Sequence, residues 1–187
     1  DKAEQCYRKA VAGNPQFSHA WNNLGNALVR LERDREAHEA FARAIALNPG
    51  YSEAMINDGL SYREEGEFDL AAERLRQGIE VNPKNANGRI SLAMLRMLRG
   101  DMKGGLAEYE WRLALPGIRP KSLPGQEWRG ESIEGKRLFV YCEQGLGDTL
   151  HYFRFLKPLA MRRPASIILQ VQPALQRLAE LNFPFVE

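Results

Sequence analysis

The chain has 187 residues, 27% of them charged, and its 26 lysines and arginines against 24 aspartates and glutamates leave a formal net charge of +2. So small a surplus supplies no field to draw nucleic acid or an anionic membrane surface, and no apolar run approaches the roughly 18 residues of a membrane-spanning helix. Cys6 and Cys142 lie far apart, and His19, His38 and His151 are isolated, so no metal site is expected and a reduced, cytoplasmic setting is the simplest expectation.

In chain order, the first segment reads as a helix over 2–13 in which Ala3, Tyr7, Ala10 and Pro15 fit only the second half of a two-helix unit. The chain is therefore expected to open partway through a repeat. Asn14-Pro15, Asn48-Pro49 and Asn82-Pro83 then recur every 34 residues. Between them Trp21, Leu24, Gly25, Leu28, Ala37, Phe41, Ala44 and Pro49 keep phase with Met55, Asp58, Gly59, Tyr62, Ala71, Leu75, Gly78 and Pro83. A third unit supplies Arg89, Leu92, Ala93, Arg96, Gly105, Tyr109 and Arg112, where the pattern fades. These positions resemble the tetratricopeptide repeat, W-x2-L-G-x2-Y…A-x3-F…P. Small residues at 25/59/93 and 37/71/105 let paired helices approach, and each proline stops a second helix because it has no N–H and clashes with the preceding turn. Helices are predicted near 18–31, 34–47, 52–65, 68–81, 86–99 and 102–115, a half repeat plus three helix pairs over 1–115.

Stacked units of this kind form an α-helical solenoid whose first helices line a groove suited to a protein or peptide partner. Asn23 and Asn57 occupy equivalent places on those helices, with Ser91 third. A side-chain amide donates and accepts at once, so such a ladder can hold a peptide backbone; in this the stretch is similar to the repeats of O-GlcNAc transferase. The alternative is that these residues bond only within the helix pair.

From 116 to 136 the helical period fails among Pro116, Gly117, Pro120, Pro124, Gly125, Gly130 and Gly135, which marks a linker. Trp128 within it is read as an apolar plug at a seam between domains. Beyond it, strand 137–142, a helix from Asp148 to about Met161, strand 166–171 and a helix from Pro173 to about Leu181 spell the start of a parallel, Rossmann-like α/β unit over 137–187, with Phe183–Val186 as a candidate third strand. So short an α/β stretch is expected to be part of a longer protein.

The turn after the first strand, Glu143-Gln-Gly-Leu-Gly-Asp-Thr-Leu-His151, invites a phosphate-loop reading. A dinucleotide fingerprint would need glycine where Leu150 stands and an acid where the second strand ends in Gln170-Val-Gln172. A phosphate loop would need a lysine after Gly147, and there is none. An S-adenosylmethionine site stays open, without its usual acid. Glycine at 145 and 147 is expected to serve a turn of positive φ.

Trp128-Arg-Gly, Glu143-Gln-Gly-Leu-Gly-Asp-Thr-Leu, Arg154 and Gln170-Val-Gln-Pro-Ala-Leu175 together resemble bacterial proteins that join tetratricopeptide repeats to a glycosyltransferase-like domain. Gly147-Asp-Thr-Leu-His151 is similar to the Gly-Asp-x-Leu turn of heptosyltransferases, whose fold is two facing Rossmann-like halves, GT-B. The resemblance implies that Asp148 is the general base for an acceptor hydroxyl and that Glu143, Gly145, Gly147 and Arg154 lie toward substrate. It also implies a sugar-nucleotide donor in the intact protein, bound by a second half that this chain lacks, so the fragment alone is expected to be inactive, with no cofactor of its own. Against catalysis stands the reading of Asp148 as a helix N-cap, of Glu143 as a solvated loop residue, and of the whole as a non-catalytic scaffold with a degenerate α/β domain.

Overall fold

The computed structural model describes residues 2–116, 118, 125–143 and 145–187, and divides into two compact units, Asp1–Leu115 and Pro116–Glu187. The sequence expectations that fall on 117, 119–124 and 144 lie outside the described residues.

The first unit is helical: α1 (Lys2–Gly13), α2 (Ser18–Val29), α3 (Asp34–Leu47), α4 (Ser52–Glu64), α5 (Phe68–Val81), α6 (Ala86–Leu98) and α7 (Met102–Tyr109), closed by a 3-10 turn, Glu110–Ala114. α2 pairs with α3, α4 with α5 and α6 with α7. The crossings depend on missing side-chain volume. A Cβ on Gly25 would lie 2.6–2.8 Å from three ring carbons of Phe41, which is fully buried. In the third pair the roles swap: Ala93 stands where the first two pairs have glycine, and Gly105 replaces Ala37 and Ala71, its own Cβ position lying 2.9 Å from the Ala93 carbonyl oxygen. One methyl group fits at each crossing, on either helix.

The recurring Asn-Pro is a turn device. Asn14, Asn48 and Asn82 each accept, through Oδ1, the backbone N–H two residues on, at 3.1, 3.1 and 3.2 Å, clasping the proline between. From the following helix Trp21 Nε1 donates to the Pro15 carbonyl at 2.9 Å, and Arg89 Nε donates to that of Pro83 at 2.6 Å. The arginine thus reproduces the indole's hydrogen bond, and it also lies over the Trp111 ring at 4.4 Å. α7 stops short of the expected 115 because Pro116 pushes its predecessor out of the helical region; Leu115 is extended, φ −76° and ψ 143°. α2 touches α4 and α4 touches α6, while α3, α5 and α7 are spaced more widely, so the α2/α4/α6 layer is the inner side of the curve of this unit. α1 packs Tyr7, Ala10 and Val11 against Leu24, Leu28 and Phe41, as the second helix of a unit packs on the next.

In the second unit β1 (Arg137–Tyr141) and β2 (Ser166–Gln170) run parallel with Arg137 opposite Ser166 and Tyr141 opposite Gln170. Between them come α8 (Leu146–Tyr152), a 3-10 turn (Phe153–Phe155) and α9 (Leu156–Ala160); α10 (Pro173–Asn182) follows β2. The continuous helix expected to about Met161 is broken because Pro158 has no N–H to give and its ring crowds the carbonyl of Arg154. Phe153 and Leu156 pack with Leu175 and Ala179, while Ile133, Leu138 and Ile167 form a second cluster. The expected third strand over 183–186 is turn and coil. Instead Glu187 exchanges two backbone hydrogen bonds with β2, donating to Ile167 at 2.8 Å and accepting from Leu169 at 2.9 Å, on the edge away from β1. Within this unit Trp128 donates its indole N–H to the Glu131 carbonyl at 2.8 Å and carries the Arg162 guanidinium over its ring at 5.5 Å.

Candidate functional site

Two regions carry the polar groups that the sequence singles out, one in each unit. On the inner layer of the first unit Asn23 is half-buried and its amide makes no hydrogen bond to the described residues. Asn57 donates Nδ2 to Oδ1 of Asn22 at 3.0 Å, a bridge from α4 to α2. Asn22 is 4% exposed and also bonds the Tyr51 hydroxyl, whose pKa is pushed up by burial and the nearby Glu53 charge against the opposing pull of that bond. Ser91 turns inward, its hydroxyl donating to the Asn87 carbonyl of its own helix at 2.8 Å. On α6 two apolar groups are exposed one turn apart, Met94 and Leu98, after the half-buried Ile90, with Asn87 and Arg96 the exposed polar residues of that helix. The layer therefore offers amides at α2 and α4 and a methionine–leucine strip at α6. Asn22, absent from the sequence reading, had a signal: it is an asparagine where the second unit has Ile56.

In the second unit Asp148 is not the N-cap. Gly145 holds that place, φ −67° and ψ 173°, and Asp148 is the third helical residue, exposed. The helix starts early because Thr149 closes on Gly145, its N–H donating to that carbonyl at 3.1 Å and its hydroxyl at 3.2 Å. The buried Thr149 hydroxyl also lies 3.0 Å from Gln172 Oε1, tying the turn after β1 to the turn after β2. Neither Gly145 nor Gly147 has positive φ, which overturns the conformational reason expected for them. A Cβ at Gly147 would meet nothing within 4 Å, and one at Gly145 only Asp148 Oδ2 at 3.8 Å.

Glu143, half-buried at the strand end, accepts from the Tyr141 hydroxyl at 3.5 Å. Arg154 lies beyond α8 with its guanidinium 4.9 Å over Phe155. The structure so brings Glu143, Gly145, Gly147 and Asp148 to the carboxyl end of β1 and leaves Arg154 on the helical segment past it. Among the described residues no group of three or more metal-ligating side chains assembles.

A third cluster escaped the sequence reading. Asp58 stands where Leu24 and Leu92 stand in the neighbouring units, yet it is only 2% exposed. It is held by His38 and Arg74. An acid at a core leucine position was the available signal.

Residues 18–51 and 56–114 each match a model of the tetratricopeptide repeat, and these repeats make up the helical unit. Protein FlbA of Caulobacter vibrioides is 28% identical over 197 aligned positions that run through all of this chain and 32% of that protein. The human protein O-mannosyl-transferase TMTC3 is 34% identical over 104 residues, 55% of this chain and 11% of that protein. The chain therefore spans about a third of the first relative and a ninth of the other. Among solved structures, a crystal structure of MamA superposes with a TM-score of 0.54 at 26% identity, covering 59% of this chain and 65% of that one. Among the described residues no helix is long and apolar enough to cross a membrane.

Proposed function

We infer that the tetratricopeptide unit holds an extended polypeptide segment on its α2/α4/α6 layer, and that the unit after it is Rossmann-like and serves sugar transfer in the whole protein. The observation that carries the first part is the pair of amides on adjacent inner helices. Among the described residues Asn23 has both its donor and its acceptor unspent, and Asn57 keeps Oδ1 lone-pair capacity beyond its bond to Asn22. A peptide backbone presents the same two groups at every residue, and the Met94–Leu98 strip gives an apolar side chain of the same segment a place to bury. Replacing Asn23 and Met94 by alanine should weaken binding of a selected linear peptide at least tenfold without moving the unfolding midpoint. Unchanged affinity would remove the layer from consideration.

The second part is supported by the place of the turn. In open parallel α/β sheets ligands bind beyond the carboxyl ends of the strands, which is where Gly145, Gly147, Asp148 and Glu143 stand and where Thr149 meets Gln172. Alanine fits sterically at 145 and 147, so the glycines leave open backbone there for a ligand to approach. The FlbA alignment runs through both units, and TMTC3 bears the name of a sugar transferase. In this reading Asp148 takes the proton of an acceptor hydroxyl. Asp148→Asn in the whole protein should abolish transfer while the fold persists; full transfer would exclude the base.

A scaffold reading stands beside it. At the third helical position a carboxylate already serves the helix by facing its free N–H groups, so Asp148 has a structural reason to be present without chemistry. An Asp148→Asn variant that loses stability and nothing else would favour the scaffold.

A further inference from the structure

A charge cluster centred on the buried Asp58 lies at the joint between the first two repeats. His38, on α3, lies between two carboxylates of the next repeat: Nδ1 is 2.5 Å from Asp58 Oδ1 and Nε2 is 2.7 Å from Glu65 Oε1. A neutral imidazole donates from one nitrogen alone, so carboxylates on both sides call for the imidazolium. The ring also stacks on Tyr62, centroids 3.8 Å apart and planes 14° from parallel, and from α5 Arg74 Nε donates to Asp58 Oδ2 at 2.8 Å. These are the charged and titratable groups that face the ring: Asp58, Tyr62 and Glu65 from α4, and Arg74 from α5 through Asp58.

We propose that His38 is a proton-dependent clamp on the first inter-repeat joint, closed when the imidazolium bridges Asp58 and Glu65 and released when the ring loses a proton. Deprotonation leaves one ring nitrogen with a lone pair aimed at a carboxylate oxygen. Arg74 keeps its hold on Asp58 within the second repeat, so the bond that fails is one of the two that His38 makes between repeats. The clamp matters to the layer because adjacent residues of α4 bond to the two helices of the first repeat, Asn57 to α2 and Asp58 to α3. Weakening the second leaves α4 held to the first repeat by the amide bridge and by the packing of Tyr51 and Ala54 on Trp21, Ala44 and Ile45.

The direction of titration agrees with this geometry. Burial opposes a charged His38, but the hydrogen bonds it donates to Asp58 and Glu65 outweigh it and hold the ring above the ordinary histidine value. Burial also pushes the Asp58 carboxyl up, against the pull of His38 and Arg74. Because the folded value lies above the unfolded one, the clamp contributes fully below about pH 6.5 for as long as its two carboxylates stay charged, and is lost as pH rises through the folded value.

The next joint shows how to remove the device without emptying the core: there Ala72 and Leu92 occupy the places of His38 and Asp58 and share one apolar cluster. H38A/D58L copies that pairing. In the whole chain, the 13Cε1 resonance of His38 should titrate at higher pH in the folded protein than in the urea-unfolded one, and amide exchange in α2 and α3, corrected for intrinsic rates, should quicken between pH 6 and pH 9. The double variant should fold and show no such pH step. A folded-state His38 midpoint at or below its unfolded-state one, or an equal pH step in H38A/D58L, overturns the proposal. Neither readout uses a bound peptide, so the result is independent of whether the layer binds one.

Discussion

Gly25→Ala isolates the steric logic of the repeats. Alanine in place of a helix-interior glycine ordinarily gains about 1 kcal/mol. Here the new methyl would sit 2.6–2.8 Å from Phe41 Cε1, Cδ1 and Cζ, and Phe41 is fully enclosed and has nowhere to rotate. Overpacking of this kind costs about 1–3 kcal/mol, at the upper end for a ring met by three atoms, so the net loss should be about 1–2 kcal/mol. For a unit of this size that lowers Tm by roughly 4–10 °C. Gly13→Ala is the control: it is helical with ordinary φ, a Cβ there meets nothing within 4 Å, and it should raise Tm slightly. Phe41→Leu, which brings the Leu75 of the next repeat into the first, should cost less in the Gly25→Ala background than alone, a coupling of about 1 kcal/mol. Thermal unfolding followed by circular dichroism reads all four proteins. If Gly25→Ala stabilises as Gly13→Ala does, the close approach of α2 and α3 is not what fixes glycine at 25.

Asn57→Ala leaves the buried Asn22 carbonyl oxygen without its donor and should cost about 1–3 kcal/mol in urea unfolding; a neutral result would mean the bridge does not form. Glu4, held below the ordinary carboxylate range chiefly by its hydrogen bond to Arg8, and Glu36, held there by Arg33 and then Arg8, tie α1 to α3. Their contribution is present above the unfolded value and is lost as pH falls through the folded one, so amide exchange in α1 should quicken before that of α4 as pH drops below about 4. Gly147→Ala should stabilise the second unit, since its φ is ordinary and the methyl has open space, while in the whole protein it should impair any ligand that approaches that backbone.

The helices of the first unit were legible because packing there is periodic. A 34-residue spacing of glycine, alanine, aromatic and proline positions leaves one arrangement in which the methyl groups fit. What the pattern hid was chemistry that persists under substitution. Arg89 reads as a departure from Trp21, yet both donate to a proline carbonyl. Asp58 reads as a blemish in a leucine column, because a buried acid is intelligible only with His38 and Arg74, 20 residues before and 16 after, in place. In the second unit the two strands fell where apolar runs placed them, but the helix between them was misread at its start and in its middle. Its start depends on Thr149 folding back to Gly145, and its break depends on Pro158 acting on Arg154. Aspartate before an amphipathic run looks the same in sequence whether it caps the helix or sits one turn inside it.

The inner layer as a docking surface for extended polypeptide is tested most directly by crosslinking. Peptides selected from a random linear library against this chain would be exposed to variants carrying a photoreactive phenylalanine at Asn26 or Leu98, on α2 and α6, or at the exposed Arg43 or Glu73 on α3 and α5. Crosslinks at 26 and 98 with none at 43 and 73 are the predicted result. Crosslinks confined to 43 and 73 would place the partner on the outer helices and contradict the account.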